Sequence, residues 1–178
     1  MPKSATLLLI RHAEKPLDPH DESLTAAGQA RAQAYVAYFR NLTRDSQPLP
    51  APSFLIAAAD SKNSMRSRLT LTPLSQSLGL PIDATVADLD YPELCQRLLG
   101  DSSYDHATSL VCWHHGQILA LARALGASEP ALPVAWPDDV FGWLLQLDYD
   151  AAGRLANVHA CSQKLMFADH VDQGHEFG

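Results

Sequence analysis

The chain has 178 residues, a length that suits one domain better than two, and its 47% apolar and 19% charged composition is that of an ordinary globular protein with enough apolar surface for one full core. No apolar run approaches the roughly 20 residues of a membrane helix. A formal net charge of −7 argues against a general nucleic-acid binder, and it means that an anionic substrate would need local cations to offset the overall field.

The opening residues MPKSATLLLIRH carry one Lys, a short apolar stretch and no small-residue cleavage site, so no secretory signal is expected. Ala5 to Ile10 reads as a short buried strand that turns abruptly into RHAEKP. Ser23 to Leu42 reads as a long helix with Thr25 as N-cap and a stripe of Ala30, Ala34, Tyr38 and Leu42 facing a sheet. A Pro-rich connection (Ser46 to Ser53) leads to a second strand, Phe54 to Ala59. The next helix, Met65 to Leu78, contains Pro73, a kinking or breaking residue, and ends at Gly79. Pro81 to Val86 reads as a short strand and Pro92 to Leu99 as a short helix opened by Pro. Thr108 to Trp113 is a third core strand, followed by a helix from Gln117 to Leu125 and an irregular Pro-rich loop. Two strands, Phe141 to Tyr149 and Arg154 to Cys161, flank a DAAG turn, and the polar stretch from Asp169 to Gly178 is expected to fray. Strands alternating with helices imply a three-layer α/β/α sandwich with a mainly parallel central sheet, to which the terminal hairpin adds an antiparallel edge. No internal repeat or linker divides the chain, so residues 1–178 read as a single domain.

Cys95, Cys112 and Cys161 are odd in number and widely spaced, which supports neither a disulfide framework nor a zinc ribbon. Cys112 lies in an apolar run and reads as a buried thiol. Free thiols and no export signal point to the cytoplasm.

The chemistry gathers at strand ends. Arg11 and His12 follow the first strand, Arg66 and Arg68 follow the second, and His114 and His115 follow the third. If these strands are parallel neighbours, all six groups converge on one sheet edge, where an open α/β sheet places its ligand site. Cations and imidazoles crowded there repel one another until a dianion enters, and the planar fork of Arg matches phosphate oxygens. Phosphoryl transfer needs mainly positioning and charge neutralisation, so this inventory suits it.

The same segments resemble the histidine phosphatase superfamily, the phosphoglycerate mutase-like family. LLLIRHAEK is similar to that family's strand followed by Arg-His-Gly/Ala-Glu. LTAAGQARA (Leu24 to Ala32) is similar to its Leu-Thr-x-x-Gly-x-x-Gln-Ala helix opening. MRSRLTLTPLSQSLGL is similar to the segment with a second Arg, a Thr four residues on and then Pro-Leu, and LVCWHHGQI to the later strand ending in a second essential His. The segments occur in the family's order across roughly residues 5 to 126. The short chain with few insertions also resembles the bacterial phosphohistidine phosphatases, with little material for a substrate cap.

The resemblance implies a phosphoglycerate mutase-like fold and a metal-independent phosphatase with no cofactor, acting on a phosphorylated small molecule or a phosphohistidine protein; the net charge and the lack of a long apolar run point to no nucleic-acid and no membrane partner. His12 would be the nucleophile, its second ring nitrogen held by a backbone carbonyl to fix the tautomer. Arg11 and Arg66 would clamp the non-bridging oxygens, and a second His would donate to the same oxygens. Counting back from Pro73-Leu74 selects Arg66, with Thr70 four residues later, while counting from Thr72 selects Arg68; the longer Pro-Leu anchor favours Arg66. The His followed by Gly is His115, while the spacing to Ile118 selects His114; strand alternation turns only one inward, and His115 is preferred.

Three departures from the family pattern stand out. Ala13 replaces the commoner Gly. Asp18 stands where many members have a phosphate-binding Asn, and its carboxylate must point away or that contact is missing. The general acid has no clear motif; Asp88, Asp90 and Glu93 are the candidates, each also readable as a surface carboxylate, and a leaving group of low pKa such as imidazole would need less acid help. Trp113 and Trp143 read as core or pocket-wall aromatics, and Trp136 as a loop anchor. His20, His106, His159, His170 and His175 read as surface residues, and Glu14 and Lys15 as loop-orienting or solvated groups. The competing readings are a phosphoglycerate mutase, a non-catalytic phosphate-binding scaffold and a metal hydrolase. The mutase would need longer insertions, and adjacent histidines diverging along a strand make poor joint metal ligands.

Overall fold

The structure, a computed structural model, describes residues 1–18, 20–44, 47–166 and 169. Its elements in order are β1 (Thr6–Arg11), α1 (Ala26–Arg40), the two-residue strands β2 (Thr43–Arg44) and β3 (Gln47–Pro48), β4 (Phe54–Ala57), α2 (Arg66–Leu78), β5 (Ile82–Asp83), α3 (Tyr91–Gly100), β6 (Thr108–Trp113), α4 (His115–Ala124), β7 (Trp143–Tyr149) and β8 (Leu155–Ser162). The six-stranded sheet runs β5-β4-β6-β1-β7-β8. The first four of these strands are parallel, and β7 and β8 add the antiparallel edge expected from the terminal hairpin.

The two central strands explain the layering. All six residues of β6 are buried, as are the last five of β1. A strand apolar on both faces needs cover on both faces. Leu7 and Leu9 of β1, with Val111 and Trp113 of β6, pack into one core with Leu94 and Leu98 of α3 and Ile118 and Leu121 of α4. Leu8 and Ile10, with Leu110 and Cys112, turn to the other core, closed by Tyr35 and Phe39 of α1 and Leu71 and Leu74 of α2.

Several boundaries differ from the sequence-based expectation. Of the stripe Ala30, Ala34, Tyr38 and Leu42, Leu42 is buried in the second core and Tyr38 packs against it, but the buried positions within α1 itself are Gly28, Arg31, Ala32, Tyr35 and Phe39. Apolar residues lie on several sides of this helix, and the close approach of Gly28 to the β1–α1 loop decides its rotation. A Cβ at Gly28 would stand 2.5 Å from the Glu14 carbonyl oxygen, so only glycine lets the helix dock there. Thr25 is the N-cap as expected, its hydroxyl accepting from Gly28 N–H at 3.1 Å. Helix α2 runs through Pro73 and ends on left-handed Gly79. Strand β5 is cut to two residues because the Asp83 side chain takes bonds from Thr85 and turns the chain. Helix α4 starts at His115, two residues early, and β7 starts at Trp143, leaving Phe141 and Gly142 in the preceding loop. Of the C-terminal stretch expected to fray, only Asp169 is among the described residues, and there it is bonded; residues 170–178, with His170 and His175, lie outside them. Among the described residues no helix is long and apolar enough to cross a membrane.

Candidate active site

The register of the sheet brings the expected segments together. Ile10 and Ala57 both pair with Cys112, and Arg11 pairs with Trp113, so β1, β4 and β6 end level. The ladder continues one residue further, with His12 N–H donating to the Trp113 carbonyl at 3.0 Å and Ala58 N–H to that of Cys112 at 3.1 Å. Three loops therefore leave the sheet side by side.

His12 sits at their junction, 2% exposed. Its Nδ1 lies 2.8 Å from the Ala13 carbonyl. A carbonyl only accepts, so Nδ1 carries the proton and Nε2 keeps its lone pair. Burial pushes the His12 pKa well below its ordinary value; the Ala13 bond opposes this, and His114, Arg11 and Arg66 add to it. The ring is therefore neutral at neutral pH. Ala13 N–H donates to Thr70 Oγ1 at 2.9 Å, and that hydroxyl donates to the Arg66 carbonyl at 2.7 Å. Thr70 thus ties the β1 loop to the first turn of α2.

The two favoured arginines are held by main-chain carbonyls rather than by carboxylates. Arg11 is fully buried and donates from Nη1 to the carbonyls of Pro137, Asp138 and Val140 at 2.8 to 3.1 Å. Its Nε and Nη2 are buried without a partner, and the Phe141 ring lies 4.0 Å from its Cζ. Burial draws its pKa down to about 10, against the pull of Asp138, Asp139 and Glu14. Arg66 lines the cleft and donates to the carbonyls of Ser23, Asp21 and Asn63 at 2.6 to 3.2 Å. Arg68 points elsewhere, pairing at 2.7 Å with Asp60 on the surface.

The histidine pair resolves against the preference for His115. The ring of His114 meets that of His12 edge-on with centroids 5.1 Å apart, and His114 lines the cleft. His115 turns outward and bonds Asp138 through Nε2 at 2.8 Å. The reason is the early start of α4: His114 is its N-cap, still in extended backbone, and His115 is already its first helical residue, rotated away. Burial lowers the His114 pKa to about 4, with Arg66 and His115 adding to the effect.

Of the three candidate acids, only Asp88 reaches the cleft. Asp90 and Glu93 are exposed. The Asp88 carbonyl accepts from Trp113 Nε1 at 3.2 Å, which anchors this residue beside the end of β6. Its Oδ1 is buried without a partner, and burial raises its pKa to about 6. Asp18 is exposed and bends back on itself, Oδ1 accepting from His20 N–H at 2.9 Å, so its carboxylate does not line the cleft.

The cleft holds about 700 Å³ and is lined by Lys15, Pro16, Leu17, Ser61, Asn63, Ser64, Arg66, Asp88, His114, Asp138 and Phe141. His12 and Arg11 are not among these lining residues; the buried His12 ring lies behind them, in contact with His114 and Phe141 (the latter with centroids 6.2 Å apart). Sequence reasoning missed Ser61, Asn63 and Ser64, although a polar loop directly after a core strand was a usable signal. It also missed Asp138 and Phe141, which lie far along the chain and carry no local pattern. Trp136 anchors that distant loop, as expected, donating to the Val140 carbonyl at 2.9 Å and packing on Trp143. A buried imidazole with a free lone pair, flanked by a second imidazole, two guanidiniums and a carboxyl of raised pKa, can bind a tetrahedral oxyanion and attack its centre.

No family model and no curated protein matches the sequence. Solved structures do match its fold. A protein assigned as the phosphohistidine phosphatase SixA of Agrobacterium tumefaciens is 21% identical, with a TM-score of 0.55 over 89% of this chain and 99% of its own. Phosphoglycerate mutase from Plasmodium falciparum is 15% identical, with a TM-score of 0.54 over 88% of each chain. An Escherichia coli protein assigned as an alpha-ribazole-5'-P phosphatase is 17% identical, with a TM-score of 0.53 over 91% of this chain and 99% of its own. At these identities the likeness is one of architecture, and it agrees with the strand order: the chain has a phosphoglycerate mutase-like fold.

Proposed function

We propose that the chain is a single-domain, metal-independent phosphatase that works through a covalent phosphohistidine on His12. The observation that carries this reading is the geometry of that ring: Nδ1–H is committed to the Ala13 carbonyl, which leaves Nε2 as a neutral nucleophile under the cleft. The two unpartnered donors of Arg11, the guanidinium of Arg66 and the ring of His114 surround the place a phosphoryl group would take. His114, rather than His115, is assigned the donor to the non-bridging oxygens.

In the first step Nε2 attacks phosphorus, the bond from phosphorus to the leaving group breaks (P–O in a phosphomonoester, P–N in a phosphohistidine), and Asp88 gives its proton to the departing oxygen or nitrogen. Water then attacks the phosphohistidine and Asp88 takes its proton. The P–N bond breaks, inorganic phosphate leaves, and the imidazole returns to its starting state. A carboxyl with a pKa of about 6 suits both halves of this cycle. The substrate class is a phosphomonoester or a phosphohistidine, and the free thiols Cys95, Cys112 and Cys161 favour a cytoplasmic setting.

The test is hydrolysis of p-nitrophenyl phosphate by the wild type and by His12→Ala, each with and without EDTA. Turnover that survives chelation and falls by at least about a thousandfold in the variant supports the reading. Loss on chelation would favour a metal hydrolase, and phosphate binding without turnover a scaffold. Transfer to a second acceptor in place of water would favour a mutase.

A further inference from the structure

One side chain from the C-terminal segment reaches the catalytic loop. Asp169 accepts from Arg31 at both oxygens, at 2.7 and 2.9 Å. The same guanidinium donates through Nε and Nη2 to the Glu14 carboxylate at 2.7 to 3.1 Å. Glu14 directly follows Ala13, the residue whose carbonyl holds the His12 ring, and its own carbonyl is gripped by Thr25 N–H at 3.0 Å. The Arg31 side chain is 1% exposed and that of Asp169 7%, while the Glu14 end of the link is 19% exposed.

Asp169 also abuts the backbone of Gly142, next to Phe141, which lines the cleft. A Cβ at Gly142 would stand 2.7 Å from Asp169 Cγ and Oδ1, so the carboxylate rests directly on that backbone. Gly142 follows Phe141, whose ring covers Arg11 and touches His12. The Asp169 carboxylate is itself fixed by the Leu165 and Met166 N–H groups, each at 3.0 Å. Burial pushes its pKa up, but Arg31 and these backbone donors outweigh that and leave it below the ordinary value. A buried ionic cluster is a poor source of net stability compared with apolar packing, whereas its directional bonds fix geometry well.

We propose that Asp169 is a positioning residue for the catalytic loop, acting through Arg31 on Glu14 and through Gly142 on Phe141, so that the C-terminal segment sets the tautomer and aim of the His12 ring. The catalytic part of this inference rests on the phosphatase reading above; the structural part does not.

Asp169→Asn keeps the shape and removes the charge. In the full chain it should lower kcat for p-nitrophenyl phosphate on the order of tenfold with KM within about twofold, since misaiming a nucleophile costs rate more than binding. In a Glu14→Gln background, where the link is already cut, the same substitution should cost less than about twofold in kcat. The His12 ring 15N shifts should move from a single Nδ1–H tautomer toward a mixture. Arg31→Gln, which retains a donor to Glu14 and loses its reach to Asp169, should reproduce these effects if Asp169→Asn does not fold. An unchanged kcat, or an equal loss in both backgrounds, would overturn the proposal. If the wild type shows no turnover, the phosphatase reading falls and the ring shifts alone decide this one: movement supports it, and no movement overturns it.

Discussion

Beneath the cleft His12, Arg11 and Arg66 form a buried floor, of which only Arg66 lines the cleft itself, while Lys15, Leu17 and Asp138 at its mouth stand open to solvent. The floor groups are held by main-chain atoms: His12 by one carbonyl, Arg11 by three and Arg66 by three. At the mouth, Leu17 is an exposed hydrophobic side chain and Asp138 is paired with a half-buried His115. Under the phosphatase reading proposed above, the difference teaches where each property should reside. Groups preorganised by backbone cost no rearrangement when charge moves, so they should set the rate. Exposed groups touch substrate late and weakly, so they should set preference.

The contrast is sharpest between the two adjacent histidines. His114→Ala should lower kcat/KM by about a hundred- to a thousandfold, because it removes a preorganised donor from the floor. His115→Ala should change it by no more than about threefold, because a half-exposed ion pair contributes little. Steady-state kinetics on the two variants decides the point, and an inverted ranking would return the role to His115.

Asp88 tests the floor by leaving group. Asp88→Asn should cost about a hundredfold with an alkyl phosphate and much less with p-nitrophenyl phosphate, whose leaving group needs little proton help. The pH profile carries the sign. Burial raises the Asp88 pKa to about 6, so the protonated acid is present below that value and is lost above it. Burial lowers the His114 pKa to about 4 and that of His12 well below its usual range, so neither ring limits the rate until the solution is acidic. Alkyl phosphate turnover should therefore fall as the pH rises through about 6, and that fall should vanish in Asp88→Asn.

Gly28→Ala asks how tightly the floor is docked. The new Cβ would press on the Glu14 backbone, which cannot yield as a flexible side chain would, so a loss of about 1–3 kcal/mol is expected in denaturant unfolding. The smallest effect should come from the mouth: Leu17→Ser should shift KM by about twofold for a substrate with an apolar group and leave kcat unchanged. A large fall in kcat there would erase the distinction between floor and mouth.

The floor was legible in the chain because its parts are local. A strand, a turn and an Arg-His pair lie within a few residues of one another, and the parity of β1 sets which core Leu8 and Leu9 face. Arg66 was favoured over Arg68 from its spacing to Pro73-Leu74, and the two guanidiniums do part as that count implies, one into the cleft and one to Asp60. The choice between His114 and His115 was not legible in the same way. It depends on whether β6 has ended and α4 begun, and a two-residue shift in that boundary exchanges the residues' directions. The inner face of α1 failed for a related reason, since its rotation answers to a contact at Gly28 and not to its own apolar pattern.

What the sequence determined by itself was therefore the order of strands and helices, the sheet edge at which the cations and imidazoles gather, and the presence of His12 there. These follow from short-range patterns of polarity and turn chemistry. Tertiary structure alone decided which histidine faces His12, which carboxyl reaches the cleft, and that Phe141 lines it while Asp169 is bonded to Arg31. Each of those depends on groups far apart in the chain being pressed together by the burial of two cores, and no local pattern encodes such a meeting.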